Sequence, residues 1–197
     1  MVLQQKIPII PNQIVQSFDF PDLVSGLGYE DFFLSIAVIA GTNTFRIVPR
    51  SLQSGKQDLE MDQEYNFDSA VFRLPRTVKG TAYISGSIEK TAGQDANLTF
   101  RLLKVTAASA EVALTSAITL NRALGDDVPQ PFFIELDLTE TIIKEDEKIR
   151  LEVIPTVASS KVYIGTSPKD LAGTIIDTSA TNATTITTIS IPFRIDI

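Results

Sequence analysis

The chain has neither His nor Cys, so its 24 acidic side chains are its main supply of groups that could do chemistry. Without Cys there are no disulfides and no thiolate nucleophile. Without His the commonest general base and the commonest metal ligand are gone. What is left is carboxylate chemistry, and a glycosidase, which needs two acids and no His, is the one common hydrolase class still open. The best-placed acids are Glu135 and Asp137 in the run Phe132-Phe-Ile-Glu-Leu-Asp-Leu138. Two residues apart on a strand, they share one face of the sheet. Their neighbours Ile134, Leu136 and Leu138 take the core face, which leaves both carboxylates pointing into water. A solvent-facing polar stripe is therefore the plainer reading. No residue is assigned a catalytic role, and the chain is expected not to be an enzyme.

The remaining acids fall in turns. Asp126-Asp127 and Glu145-Asp146-Glu147 offer hard oxygen ligands of the kind Ca²⁺ takes, but neither has EF-hand spacing. Acidic turns on a chain of net charge −7 are ordinarily just solvated. No metal and no cofactor are expected. Tyr83 and Tyr163 sit in Gly80-Thr-Ala-Tyr83 and Val162-Tyr-Ile-Gly165, where alternation aims both outward. There they are candidate glycan contacts, since an aromatic face can stack on a sugar. Single exposed aromatics are also commonplace and need no ligand.

Charge and hydropathy narrow the partners. Seventeen basic residues are spread thinly through an acidic chain, unlike the clustered Lys and Arg of a nucleic-acid binder. No apolar run approaches the roughly 18 residues of a membrane span, so neither nucleic acid nor membrane is expected as a partner. Met1 to Gln5 lacks the basic flank and apolar core of a secretory signal.

The elements that must position these groups are strands. Ala82, Ile84, Gly86 and Ile88 alternate with Tyr83, Ser85 and Ser87, and Leu98, Phe100 and Leu102 alternate with Thr99 and Arg101. Phe132 to Thr139 and Lys148 to Val153 repeat the pattern, as period two requires of half-buried strands. Tyr29 to Pro49 reads as a hairpin turning at Gly41-Thr-Asn43. Ser51 to Asn66 reads as a connecting loop with at most one short strand. Ile189 to Ile197 closes the chain as an amphipathic strand that must pair with strands far back in the sequence. Long-range pairing of that kind favours a single jelly roll over a meander, giving an all-β antiparallel β-sandwich over 23–197. Before it, 1–22 reads as an extended N-terminal arm. Lys6-Ile-Pro-Ile-Ile-Pro11 cannot pair centrally in a sheet because two prolines flank its apolar residues. An apolar arm gains most by adding to another chain's sheet, which makes Ile7, Ile9, Ile10, Ile14 and Val15 the candidate interface.

Two stretches, Phe18-Asp-Phe-Pro-Asp-Leu-Val-Ser-Gly-Leu-Gly-Tyr29 and Phe72-Arg-Leu-Pro-Arg-Thr-Val-Lys-Gly-Thr-Ala82, lead into the hairpin and the main strand series. With Lys161-Val-Tyr-Ile-Gly-Thr-Ser-Pro-Lys-Asp170, they resemble virion proteins of tailed phages and related prokaryotic viruses. The resemblance implies an auxiliary capsid or decoration protein with a jelly-roll body, made in the host cytoplasm and located in the virion. Its partners would be copies of itself and other virion proteins. The alternative expectation is a carbohydrate-binding jelly roll on a virion fibre or cell surface.

Overall fold

The computed structural model describes residues 27–39, 42–49, 57–90, 96–120, 129–157, 162–166 and 186–194. The N-terminal arm, with Ile7, Ile9, Ile10, Ile14 and Val15, lies outside the described residues, as do Asp126 and Asp127. Among the described residues every regular element is a strand. They are β1 (Leu27–Ile39), β2 (Thr42–Val48), β3 (Gln57–Glu60), β4 (Tyr65–Asp68), β5 (Arg76–Lys90) and β6 (Ala96–Val105). Then come β7 (Glu111–Ala113), β8 (Ile118–Leu120), β9 (Gln130–Ile143), β10 (Lys148–Val157), β11 (Val162–Thr166) and β12 (Thr188–Arg194).

The expected all-β fold is present, as one mixed sheet in the order β3-β11-β5-β12-β1-β2-β4-β10-β6-β7, with β9 on the far side of β5 and β8 beside β6. Among the described residues every pairing between two of these strands is antiparallel except β2 with β4, which is parallel and consists of the single bridge Arg46↔Asp68, and an isolated parallel bridge joins Gly165 of β11 to Ile186. The Arg46↔Asp68 bridge is a seam dividing the sheet into two halves. The halves face each other, with the Phe132 ring of β9 5.5 Å from the Phe100 ring of β6. The backbone N–H of Thr139 in β9 donates to the Leu114 carbonyl at 2.9 Å, tying the far edges together. This order does not establish a single jelly roll.

Alternation decides which face each strand buries. Along β9, Phe132, Ile134 and Leu136 are buried while Pro131, Phe133, Glu135 and Asp137 are exposed. β10 buries Ile149, Leu151 and Val153 against Leu98, Phe100 and Leu102 of β6. Each such side chain taken from water contributes on the order of 2 kcal/mol, so the two facing halves form one shared core. The closing strand β12 lies inside the sheet, between β1 and β5, with Ile189, Ile191 and Phe193 buried. The stretch 51–66, expected from the sequence to be a loop with at most one short strand, holds β3 and the start of a second strand, β4. The run 111–120 holds two short strands, β7 and β8, separated where the backbone N–H groups of Leu114 and Thr115 both turn to the Leu102 carbonyl.

Strand β5 carries an irregularity. Its register against β9 shifts between Val78 and Gly80. Gly80 has φ +105°, a conformation side chains resist, and a Cβ there would stand 3.3 Å from Leu27 Cδ1. The bulge sits immediately before Thr81 and Tyr83, so it sets how both side chains are aimed.

Candidate functional site

Strands β9, β5, β12 and β1 are consecutive neighbours, and their registers place outward side chains in transverse rows. Glu135 pairs with Tyr83, Tyr83 with Ser190 and Ser190 with Asp31. One row over, Asp137 pairs with Thr81, and Tyr29 pairs with Pro192. On the other side Phe133 pairs with Ser85, Ser85 with Thr188 and Thr188 with Phe33. The outer face of this half is therefore built from aromatic rings, carboxylates and small hydroxyls.

Three of the rings form a continuous ridge across the strands. Tyr83 and Phe133 stack with centroids 5.5 Å apart and planes 23° from parallel. Tyr29 and Tyr83 lie 5.8 Å apart, tilted by 31°. Tyr83 is the half-buried middle ring, while Phe133 and Tyr29 are 57% and 42% exposed. Rings at these separations gain about 0.5–1.5 kcal/mol per pair beyond area burial, which fixes the ridge before any ligand arrives. The Tyr29 hydroxyl donates to the Thr81 carbonyl at 3.3 Å.

The carboxylates frame the ridge. The Thr81 hydroxyl donates to Asp137 at 2.8 Å, and the Ser190 hydroxyl donates to Asp31 at 2.5 Å. These bonds orient the two carboxylates and leave their charge unneutralised. Glu135, beside Tyr83, has no side-chain partner among the described residues. The basic residues Lys79 and Arg194 are both within ion-pair distance of Glu140, at 3.0 and 4.0 Å. The result is an acidic, aromatic, hydroxyl-lined surface. Such a surface can stack on an apolar ring face and accept hydrogen bonds from hydroxyl or ammonium donors.

Of the groups singled out in the sequence, Glu135 and Asp137 do point outward on one face, and Tyr83 stands between Phe133 and Tyr29. Tyr163, expected to face outward, does not. It is 4% exposed, with its hydroxyl 3.5 Å from a Glu60 carboxylate oxygen. The reason is that all five residues of β11 are buried, so alternation there separates two covered faces rather than core from water. In the acidic turn, Glu147 is buried and accepts from the Lys144 backbone N–H at 2.7 Å, with Lys104 Nζ 3.3 Å away. That carboxylate closes the turn, and no group of three metal-ligating side chains forms among the described residues. Two members of the ridge, Phe133 and Tyr29, are not among the residues that sequence reasoning selects. Phe133 is within its reach, since it shares the period-two face of Glu135 and Asp137. Tyr29 reaches Tyr83 only because β12 inserts between β1 and β5, which no local pattern signals.

No known protein family and no curated protein matches the chain by sequence. Solved structures do match by fold. A CocE/NonD family hydrolase from Staphylococcus aureus superposes with a TM-score of 0.59 at 13% identity, over 85% of this chain and 37% of the hydrolase. An aminopeptidase from the marine sediment archaeon Thaumarchaeota archaeon gives 0.56 at 11% identity, over 86% and 37%. The chain thus spans just over a third of the length of these enzymes. Infectious bursal disease virus, Gt strain, matches over 98% of this chain and 41% of its own, but with a TM-score of 0.34 and 7% identity, which is too distant to support a shared fold. The hydrolase matches correct one expectation. The sequence points away from an enzyme, yet the fold is one that hydrolase chains contain, so the fold gives no ground for setting enzymes aside. At such low identity the likeness concerns the fold alone.

Proposed function

We propose that the chain is a carbohydrate-binding β-sandwich module whose binding face is the outer surface of β9, β5, β12 and β1. The observation that carries this reading is the ridge of three contacting rings, Tyr29, Tyr83 and Phe133, framed by Asp31, Glu135 and Asp137. Aromatic rings supply stacking area at little conformational cost, and the carboxylates accept hydrogen bonds from sugar hydroxyls. The charge sets the class of sugar. Three carboxylates repel sialic and uronic acids and suit neutral or amino sugars. A module of this kind accommodates the hydrolase matches, in which the same fold makes up just over a third of the chain.

The test is a glycan array probed with the whole chain, followed by titration of the best binder. Neutral or amino-sugar oligosaccharides should bind, and Tyr83→Ala should weaken the titrated binding by roughly tenfold or more, about 1.4 kcal/mol. Preference for acidic glycans, or binding that Tyr83→Ala leaves unchanged, would refute the assignment.

A second reading is association of copies of this chain through the same face, as the virion resemblance would require. Phe133 favours it, because a large apolar ring more than half exposed on a sheet face is also what an interface uses. Light scattering across a concentration series separates the two. A closed oligomer that Phe133→Asp dissolves supports association, and a monomer throughout rejects it.

A further inference from the structure

The seam between β2 and β4 opens a cleft of about 630 Å³, within the range of small-molecule sites. It exists because the two strands touch at one bridge, Arg46↔Asp68, and then part company. Its apolar lining includes Phe32, Phe45 and Phe72. Phe32 is buried in the core and the other two pack against it. Its charged lining is four cations and two acids, a positive balance on a protein of net charge −7.

Both acids are already engaged. Glu30 pairs with Arg76 at 2.5 Å, and the Arg76 guanidinium also lies 3.7 Å from the centre of the Phe193 ring. Asp68 takes Arg150 at 2.6 Å and also pairs with Lys148. Burial pushes the Asp68 carboxyl up, but hydrogen bonds from Arg150 and Lys148 outweigh it and hold the group below its ordinary range, fully ionised. With both acids taken, Arg46 and Arg73 line the cleft without an acidic partner among the described residues.

From this we infer that the seam cleft is a binding site for a small amphiphilic carboxylate, its apolar body against Phe32, Phe45 and Phe72 and its head between Arg46 and Arg73. The planar guanidinium fork matches a carboxylate in two parallel hydrogen bonds. The two arginines lie on opposite sides of the seam, Arg46 on β2 and Arg73 on the stretch after β4, so a bound head would bridge it.

The experiment is titration of the whole chain with phenylacetate, with phenylacetamide, acetate and sulfate as comparators. Phenylacetate should bind saturably with a Kd on the order of 1 mM, and phenylacetamide, acetate and sulfate should each bind about tenfold more weakly or worse. Arg46→Gln and Arg73→Gln should each weaken phenylacetate several-fold without lowering Tm, since neither removes an ion pair among the described residues. If Arg46→Gln fails to fold, Arg73→Gln alone carries the test. Equal binding of phenylacetamide or sulfate, absence of phenylacetate binding, or indifference to both substitutions would overturn the inference.

Discussion

The two halves of the sandwich have outer faces of opposite character. On β4, β10 and β6 the outward charges neutralise one another. Arg101 holds Glu152 through two 2.9 Å hydrogen bonds, and Arg150 takes Asp68 through two more while also reaching Glu111 at 2.5 Å. On β9, β5, β12 and β1 the outward face carries a ridge of aromatic rings and three carboxylates that no described cation neutralises. On the first face these charges find opposite charges within the sheet, on the adjacent strand or, for Arg150 and Glu111, across β6. The second leaves apolar area and acceptor capacity open. Both faces are regular sheet, so regularity does not distinguish a binding face; unmet demand does.

The sharpest way to break the contrast is to disrupt the paired face. Glu152→Ala should be the most destabilising of the changes considered, by roughly 2 kcal/mol, since it removes the buried acceptor of a two-point hydrogen-bonded pair whose arginine remains partly open to water. Thermal unfolding measures this, and a Tm within a degree or so of the parent would mean the pairing contributes little. Glycan affinity should not move.

Next in size is the bulge that aims the ridge. Gly80→Ala puts a Cβ where φ is +105° and Leu27 Cδ1 is close, which should cost roughly 1–2 kcal/mol. Because Thr81 and Tyr83 come directly after it, this change should also weaken glycan binding, as Glu152→Ala should not.

Acid should act on the paired half. Asp68 is held below its ordinary range, its burial outweighed by Arg150 and Lys148. Glu147 is lowered too, its burial outweighed by the Lys144 backbone N–H and by Lys104. A carboxyl with a depressed native pKa binds fewer protons folded than unfolded. Its contribution is therefore fully present above the unfolded value of about 4, and is lost as pH falls through the native value. Tm should accordingly drop below about pH 4, and the drop should be shallower in Asp68→Asn; an equally steep drop in that variant would remove Asp68 from the account.

The smallest stability effect belongs to the open face. Phe133→Ala should cost no more than about 1 kcal/mol, chiefly its stacking on Tyr83, because the ring is more than half exposed. A large loss of Tm would show that Phe133 is structural and that the ridge needs no ligand to explain it.

Much of the open face is legible in the sequence. The alternation in Phe132 to Leu138 places Glu135 and Asp137 in water, and the same period, carried one residue pair back, places Phe133 beside them. Tyr83 follows from Ala82 and Ile84. Period two cannot separate a strand with one wet face from one covered on both, which is why it misplaces Tyr163 on β11. Nor can it assign neighbours. The ridge needs β12 between β1 and β5, and the seam needs β2 to meet β4 at one bridge; both are long-range pairings whose local sequence is ordinary. The ion pairs of the paired face are not legible in the sequence, since a carboxylate's partner 51 residues away, as Glu152 is from Arg101, leaves no local mark.

The most direct test of the contrast is titration of the array-selected glycan into Phe133→Ala and Arg101→Ala, compared with the parent chain under conditions where both variants are fully folded. Loss of affinity in Phe133→Ala with parental affinity in Arg101→Ala is the predicted result. Equal losses in both, or a loss confined to Arg101→Ala, would contradict the assignment of binding to the aromatic face.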